Sequence, residues 1–269
     1  MYYYIVDPQK LSQREFERVQ NLLYSSLSEY RVSGEIMRVT GLRTINQLVE
    51  NAFTHGAKTI VAVGSDETLH DVINAIKGRE IVVGFIPLFN TELGELLGIK
   101  NIEQAAKTIG ARRIAVLDLG NVNNTLFLSK LFFGLNNSVS VGGLFNYKII
   151  QSLFNLPSFE VKFSVNNQYS ATSKVIGGVV SNKLEGGVAQ VKLLPELSKT
   201  KILQHRGDIL TGAFENIPSA SIVQANKIEV SSPPGLPLRV GNRVIAKTPA
   251  TIEIVPQALK IIVGKERKF

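Results

Sequence analysis

The chain has 269 residues, 44% of them hydrophobic, a formal charge of +8 and no cysteine. That length covers one large domain or two ordinary ones with a true apolar core, and the missing cysteines exclude disulfides and thiolate metal sites. No run of eighteen uncharged apolar residues occurs, so no membrane-spanning helix is expected.

A cytoplasmic protein fits the absence of cysteine. Met1-Tyr2-Tyr3-Tyr4-Ile5-Val6-Asp7 lacks a basic leader region and a cleavage site and reads as a first strand. His55, His70 and His205 show no metal-ligand spacing, and each reads as a surface or turn residue. Positive charge is scattered, with one cluster at Lys265-Glu266-Arg267-Lys268. Specific nucleic-acid binding is not expected. A peripheral role at a lipid or membrane surface stays open, at about 1 kcal/mol per basic residue near anionic lipid.

Up to residue 112 the pattern alternates strand and helix. Ser12-Gln13-Arg14-Glu15 has capping-box spacing and opens a helix to about Glu29. Glu35–Val39 reads as a strand and Leu42–His55 as a helix closed by Gly56. Ile60-Val61-Ala62-Val63 is a short apolar strand, followed by the turn Gly64-Ser65-Asp66-Glu67-Thr68 and a helix from Leu69 to Ile76. Ile81–Ile86 is a strand ending at Pro87, and Asn101 caps a helix to Ile109 closed by Gly110. This order predicts an α/β domain with a mostly parallel, doubly wound sheet over residues 1–112.

Residues 113–269 read as short strands with turn signals, a β-sandwich domain whose extreme C-terminal segment packs back on the first. The strands are Arg113–Leu119, Thr125–Phe133, Phe159–Val165, Ser173–Val180, Val188–Leu194, Lys227–Val230, Arg243–Ala246, Thr251–Val255 and Leu259–Val263. Val165-Asn166-Asn167-Gln168 and Val240-Gly241-Asn242-Arg243 read as hairpin turns. A helix is expected near Gly143–Phe154, and residues 200–217 carry no clear assignment.

The Gly64–Thr68 turn is the most informative feature. A glycine-bearing turn between strand and helix offers unpaired N–H groups and a favourable dipole to phosphate. Here it carries Glu67, a carboxylate where phosphate would sit. Asp66 also reads as the N-cap of the Leu69 helix, and His70 as an exposed helix residue.

The segment Val61-Ala62-Val63-Gly64-Ser65-Asp66-Glu67-Thr68-Leu69-His70-Asp71-Val72-Ile73-Asn74 resembles the diacylglycerol kinase catalytic-domain family. That family includes bacterial lipid kinases and sphingosine kinases and is distantly related to NAD kinases. Its hallmark is V-G-G-D-G-T-L-x-E-V-x-N, matched here at Gly64, Asp66, Thr68, Leu69, Val72 and Asn74. Asp7-Pro8 looks like its Asn-Pro after the first strand, and Thr40 sits where a threonine precedes the second helix. Ile86-Pro87-Leu88 with Leu96-Leu97-Gly98-Ile99 resembles I-P-x-G-T-x-N-D-x-A-R-x-L-G-I. Val240-Gly241-Asn242 through Ile254-Val255-Pro256-Gln257-Ala258-Leu259 resembles D-G-E … V-x-P-x-A-L.

The resemblance implies ATP and Mg²⁺ as cofactors if the chain is active and none otherwise, with Thr40, Gly64, Ser65, Asp66 and Thr68 at the nucleotide. It gives Asp66 a role in holding Mg²⁺ through water or in activating the substrate hydroxyl. The departures are as informative. Ser65 and Glu67 replace glycines, Glu95 stands at an arginine position, and Val240 and Asn242 replace the family's catalytic carboxylates. Valine cannot accept a proton, and neutral Asn is a poor base. These changes predict an impaired or inactive lipid-kinase-like protein acting as a binding module. The alternative is an active ATP-dependent lipid kinase; a protein partner or homodimer stays open for either.

Overall fold

The computed structural model describes residues 1–8, 11–134, 157–166, 169–232 and 235–269. The expected helix near Gly143–Phe154 and the turn residues Asn167 and Gln168 lie outside them. Two compact units appear: Met1–Leu117 with Gln257–Phe269, and Asp118–Pro256.

In the first unit the strands are β1 (Tyr2–Val6), β2 (Glu35–Arg38), β3 (Thr59–Gly64) and β4 (Val82–Pro87). They lie in the order β2-β1-β3-β4, all paired in parallel. The end of a long C-terminal strand, β15 (Ala250–Ile262), continues the sheet, with Lys260 and Ile261 beside Val82 and Val83. Every residue of β3 is buried, so its apolar run needs no polar alternation.

The helices are α1 (Gln13–Glu29), α2 (Ile45–Thr54), α3 (Asp66–Ala75), α4 (Glu92–Leu97) and α5 (Ile102–Ala111). Helix α1 begins at the expected Ser12 capping box and buries Phe16, Leu23 and Leu27 on one stripe. Helix α2 starts three residues later than its hydrophobic pattern suggests, because Thr44 and Gln47 form a second capping box. Gly56, at φ +70°, follows it as expected. Helix α5 runs through Gly110 and is closed instead by Arg112 in the left-handed region. Helix α4 has no counterpart in the sequence reading.

The second unit is antiparallel in all its described pairings. Its strands are the end of β5 (Ile114–Val122), β6 (Thr125–Phe127), β7 (Lys130–Phe133), β8 (Phe159–Val165), β9 (Tyr169–Asn182), β10 (Ala189–Pro195), β11 (Ser221–Ala225), β12 (Lys227–Ser231), β13 (Pro237–Val240), β14 (Arg243–Lys247) and the start of β15. The expected Thr125–Phe133 strand is broken in two. The expected Thr251–Val255 and Leu259–Val263 strands are instead one, β15. Strands β11 and β13 were not expected from the sequence.

Residues 200–217 form two short helices, α6 (Lys199–Gln204) and α7 (Arg206–Thr211), and a 3₁₀ turn (Phe214–Asn216). One core gathers Phe127, Phe133, Val161, Val180, Ile228, Leu238 and Ile252. A second places Ile176, Val179 and Leu194 under Ile202, Ile209 and Phe214. A register shift between Leu194 and Pro195 inserts Ile176 as an extra residue in β9. That bulge lets Ile176 and Val179 serve the same core.

Two buried contacts fix these units locally. A Cβ on Gly64 would meet the Thr68 Cβ at 2.9 Å, so α3 lies against β3 only because residue 64 has no side chain. The Asn182 side chain donates to the Asp118 and Leu128 carbonyls at 2.7 and 3.0 Å and accepts from the Leu184 N–H. Gly64→Ala is expected to destabilise the protein by about 1–3 kcal/mol through overpacking. Asn182→Ala is expected to cost about 2–4 kcal/mol, since it strands buried carbonyls. Urea midpoints at unchanged slope check both.

Candidate functional site

The loops that leave β1, β2, β3 and β4 start at one edge of the parallel sheet, its carboxyl edge, where α/β proteins place ligands. Backbone bonds tie these loop starts together. Asp7 N–H donates to the Val63 carbonyl, Val39 N–H to Val6, and Leu88 N–H to Gly64, at 2.9, 2.9 and 3.0 Å. The strand-to-helix bend expected at Gly64–Thr68 is there.

Its detail differs from the expectation. The helix starts at Asp66, and its N-cap is Ser65 rather than Asp66. Ser65 Oγ accepts from Thr68 N–H at 3.4 Å, and Thr68 Oγ1 accepts from Ser65 N–H at 3.1 Å. The Thr68 hydroxyl donates to Asp7 Oδ2 at 3.0 Å, in a buried contact between the first and third strand ends. Ser65 and Thr68 thus close the turn on itself.

With Ser65 as the cap, the Asp66 side chain is released to another task. Its carboxylate accepts from Glu92 N–H at 3.1 Å and from Leu93 N–H at 3.3 Å. These are the first two helical residues of α4, whose own N-cap is Thr91. Donors that helix geometry leaves without intrahelical partners are therefore met by an internal carboxylate. Burial outweighs those bonds and pushes the Asp66 carboxyl up to about 6, with the Glu92 charge adding to the rise.

The surrounding charge is acidic. Glu67 lies with Asp66 in the first turn of α3, and Glu95 with Glu92 in the first turn of α4. Glu95 pairs with Lys268 at 2.9 Å, which holds its carboxyl below the usual range. Lys100 pairs with Glu266 at 2.7 Å. Part of the basic C-terminal cluster is thus engaged with the first unit.

Thr40 stands at the end of β2, exposed, and its hydroxyl accepts from Arg43 N–H at 3.1 Å. His70, expected on the exposed side of its helix, is only 7% exposed. It lies on the buried face of α3, where Asn74 donates to its carbonyl at 2.9 Å. Val240, Gly241 and Asn242 form the β13–β14 turn in the second unit, with Gly241 at φ +57°. Gly241 supplies the turn's left-handed residue, and neither neighbour carries a carboxylate. Among the described residues no three His, Asp or Glu side chains converge as a metal site.

Asp118 escaped the sequence reading. It is 4% exposed, and its carboxylate accepts from Gly187 N–H at 2.6 Å. The available signal was a lone acid inside the apolar run Val116-Leu117-Asp118-Leu119. Among the described residues no helix is long and apolar enough to cross a membrane.

Solved structures share the fold. A candidate diacylglycerol kinase from Bacillus anthracis str. Sterne aligns with a TM-score of 0.80 at 18% identity, covering 99% of this chain and 97% of its own. A further structure of a candidate diacylglycerol kinase from that organism gives 0.78 at 17%, covering 98% and 97%. One described as a diacylglycerol kinase, again from that organism, gives 0.77 at 16%, covering 99% and 98%. No curated protein matches the chain in sequence. Residues 2–122 match the model of the diacylglycerol kinase catalytic domain.

Proposed function

We propose that this chain is a lipid-kinase-like protein whose nucleotide corner is filled from within, and that it works as a binding module. The observation that carries this reading is the Asp66 carboxylate on the N–H groups of Glu92 and Leu93. A nucleotide phosphate approaching that corner competes with an anion that is covalently part of the protein. It also meets Glu67, Glu92 and Glu95 in the same two helix turns. One carboxylate about 4 Å from a phosphate oxygen costs about 4 kcal/mol at an effective dielectric near 20.

The residues present therefore fit a magnesium-bound triphosphate poorly. The room near Gly64 is taken by Thr68, so its missing side chain serves helix packing rather than a ligand. The β13–β14 turn supports the same reading, since Val240 and Asn242 offer no base. The competing reading, an active ATP-dependent lipid kinase, is favoured by the buried carboxylate of Asp118, which falls within the matched segment. A lipid or membrane surface remains the proposed kind of partner.

Adding magnesium ATP to the purified chain is expected to leave its melting temperature unchanged. An active nucleotide site would instead stabilise it by about 2.7 kcal/mol at a hundredfold excess over Kd. ATP-dependent phosphorylation of diacylglycerol in mixed micelles, lost in Asp66→Asn, would overturn the proposal.

The Asp66 carboxyl also sets a pH dependence. Between its unfolded value near 3.8 and about 6, the folded chain holds a proton that the unfolded chain has released. Stability from this group is therefore lost as pH rises through that window, by about 3 kcal/mol at most. Asp66→Asn removes the dependence, so the variant gains on the parent chain between pH 4 and about 6.5. Urea midpoints across that range check the sign.

A further inference from the structure

Register places a row of residues across three strands of the second unit: Arg239 on β13 faces Phe132 on β7, which faces Val179 on β9. Directly opposed residues share a face of the sheet. Lys130 and Ser181, the next opposed pair of β7 and β9 on that face, lie two residues along. Arg239 and Lys130 are diagonal neighbours, with Cα atoms about 7–8 Å apart. Gly212, at the end of α7, lies over Phe132 and Val179.

Arg239 is anomalous on this face. Its Nε and Nη1 atoms are buried and have no hydrogen-bond partner, and the same holds for Ser181 Oγ. The residue as a whole is only half-buried. Burial alone lowers its pKa, with no carboxylate acting against that. Glu215, an acid near this face, is bound to Lys192 at 2.5 Å. A guanidinium with two buried nitrogens that lack an acceptor is costly, and proteins pair or hydrate such groups.

We propose that Arg239, with Lys130 beside it and Ser181 on the same face, forms a binding site for a phosphate-type oxyanion. Two cations and a hydroxyl match a dianionic group with several acceptor oxygens, and the guanidinium fork suits it in particular. The phosphate is carried by a lipid headgroup or by a soluble ester. The site is built from the second unit alone, and the proposal stands whether or not nucleotide binds at the Asp66 corner.

The test uses the full chain, with inorganic phosphate at constant ionic strength and with phosphatidylcholine vesicles containing or lacking phosphatidic acid. Phosphate is expected to raise the melting temperature of the parent chain. Its apparent affinity is expected to fall about tenfold or more in Arg239→Gln and to be partly kept in Arg239→Lys. Arg239→Met, which removes an unpaired buried charge, is expected to be at least as stable as the parent without phosphate and insensitive to it. Arg239-dependent capture by phosphatidic acid vesicles, competed by phosphate, identifies a lipid source. A phosphate response without vesicle capture identifies a soluble ester. Equal phosphate responses in the parent and Arg239→Gln would overturn the proposal, as would no response in the parent or marked destabilisation by Arg239→Met.

Discussion

One carboxylate, that of Asp66, ties the candidate site together. Asp66 is the acidic residue of the turn that resembles the diacylglycerol kinase hallmark, yet its oxygens accept from the backbone at the start of the next helix. That contact joins the β3–α3 bend to the start of α4 and gives a helix terminus its missing acceptors. It also leaves a buried carboxyl raised to about 6. The cost of that desolvation is tolerated because the bonds it makes hold two loops of the sheet edge in register.

The rest of the corner follows from the same economy of donors. Ser65 and Thr68 satisfy one another across the turn, and Thr68 reaches the buried Asp7 at the end of β1. A serine stands where the diacylglycerol kinase hallmark has glycine and becomes the cap, which frees the aspartate to point elsewhere. The substitution alters the role of its neighbour as much as it adds bulk. Glu67 was the replacement that drew attention in the sequence, but Ser65 is the one whose consequence the structure makes plain.

Much of the architecture was legible beforehand, for physical reasons. The Ser12 capping box, the apolar run of β3 and Gly56 after α2 are local signals, and they placed their elements within a few residues. Helix α4 was illegible because it is six residues long and owes its start to Thr91 and Asp66, a contact spanning 26 positions. His70 was misjudged because a polar residue gives no hint that its face of the helix is the buried one. Strand β15 was split because Pro256, which cannot donate to a ladder, reads in the sequence as a strand end, whereas the strand runs from Ala250 to Ile262. Asp118 and Arg239 could not be weighed at all until their neighbours were known. Burial of a charge is a property of the fold around it rather than of the residue.

The most direct measurement of the central claim is the amide proton and nitrogen shifts of Glu92 and Leu93. They are followed through pH 4–8 and then during addition of magnesium ATP. If the Asp66 carboxylate occupies this corner, both amides titrate together with a midpoint near 6 and stay unmoved by the nucleotide. Amides that ignore pH but shift saturably with magnesium ATP would show that the corner is open to phosphate, and would contradict the account.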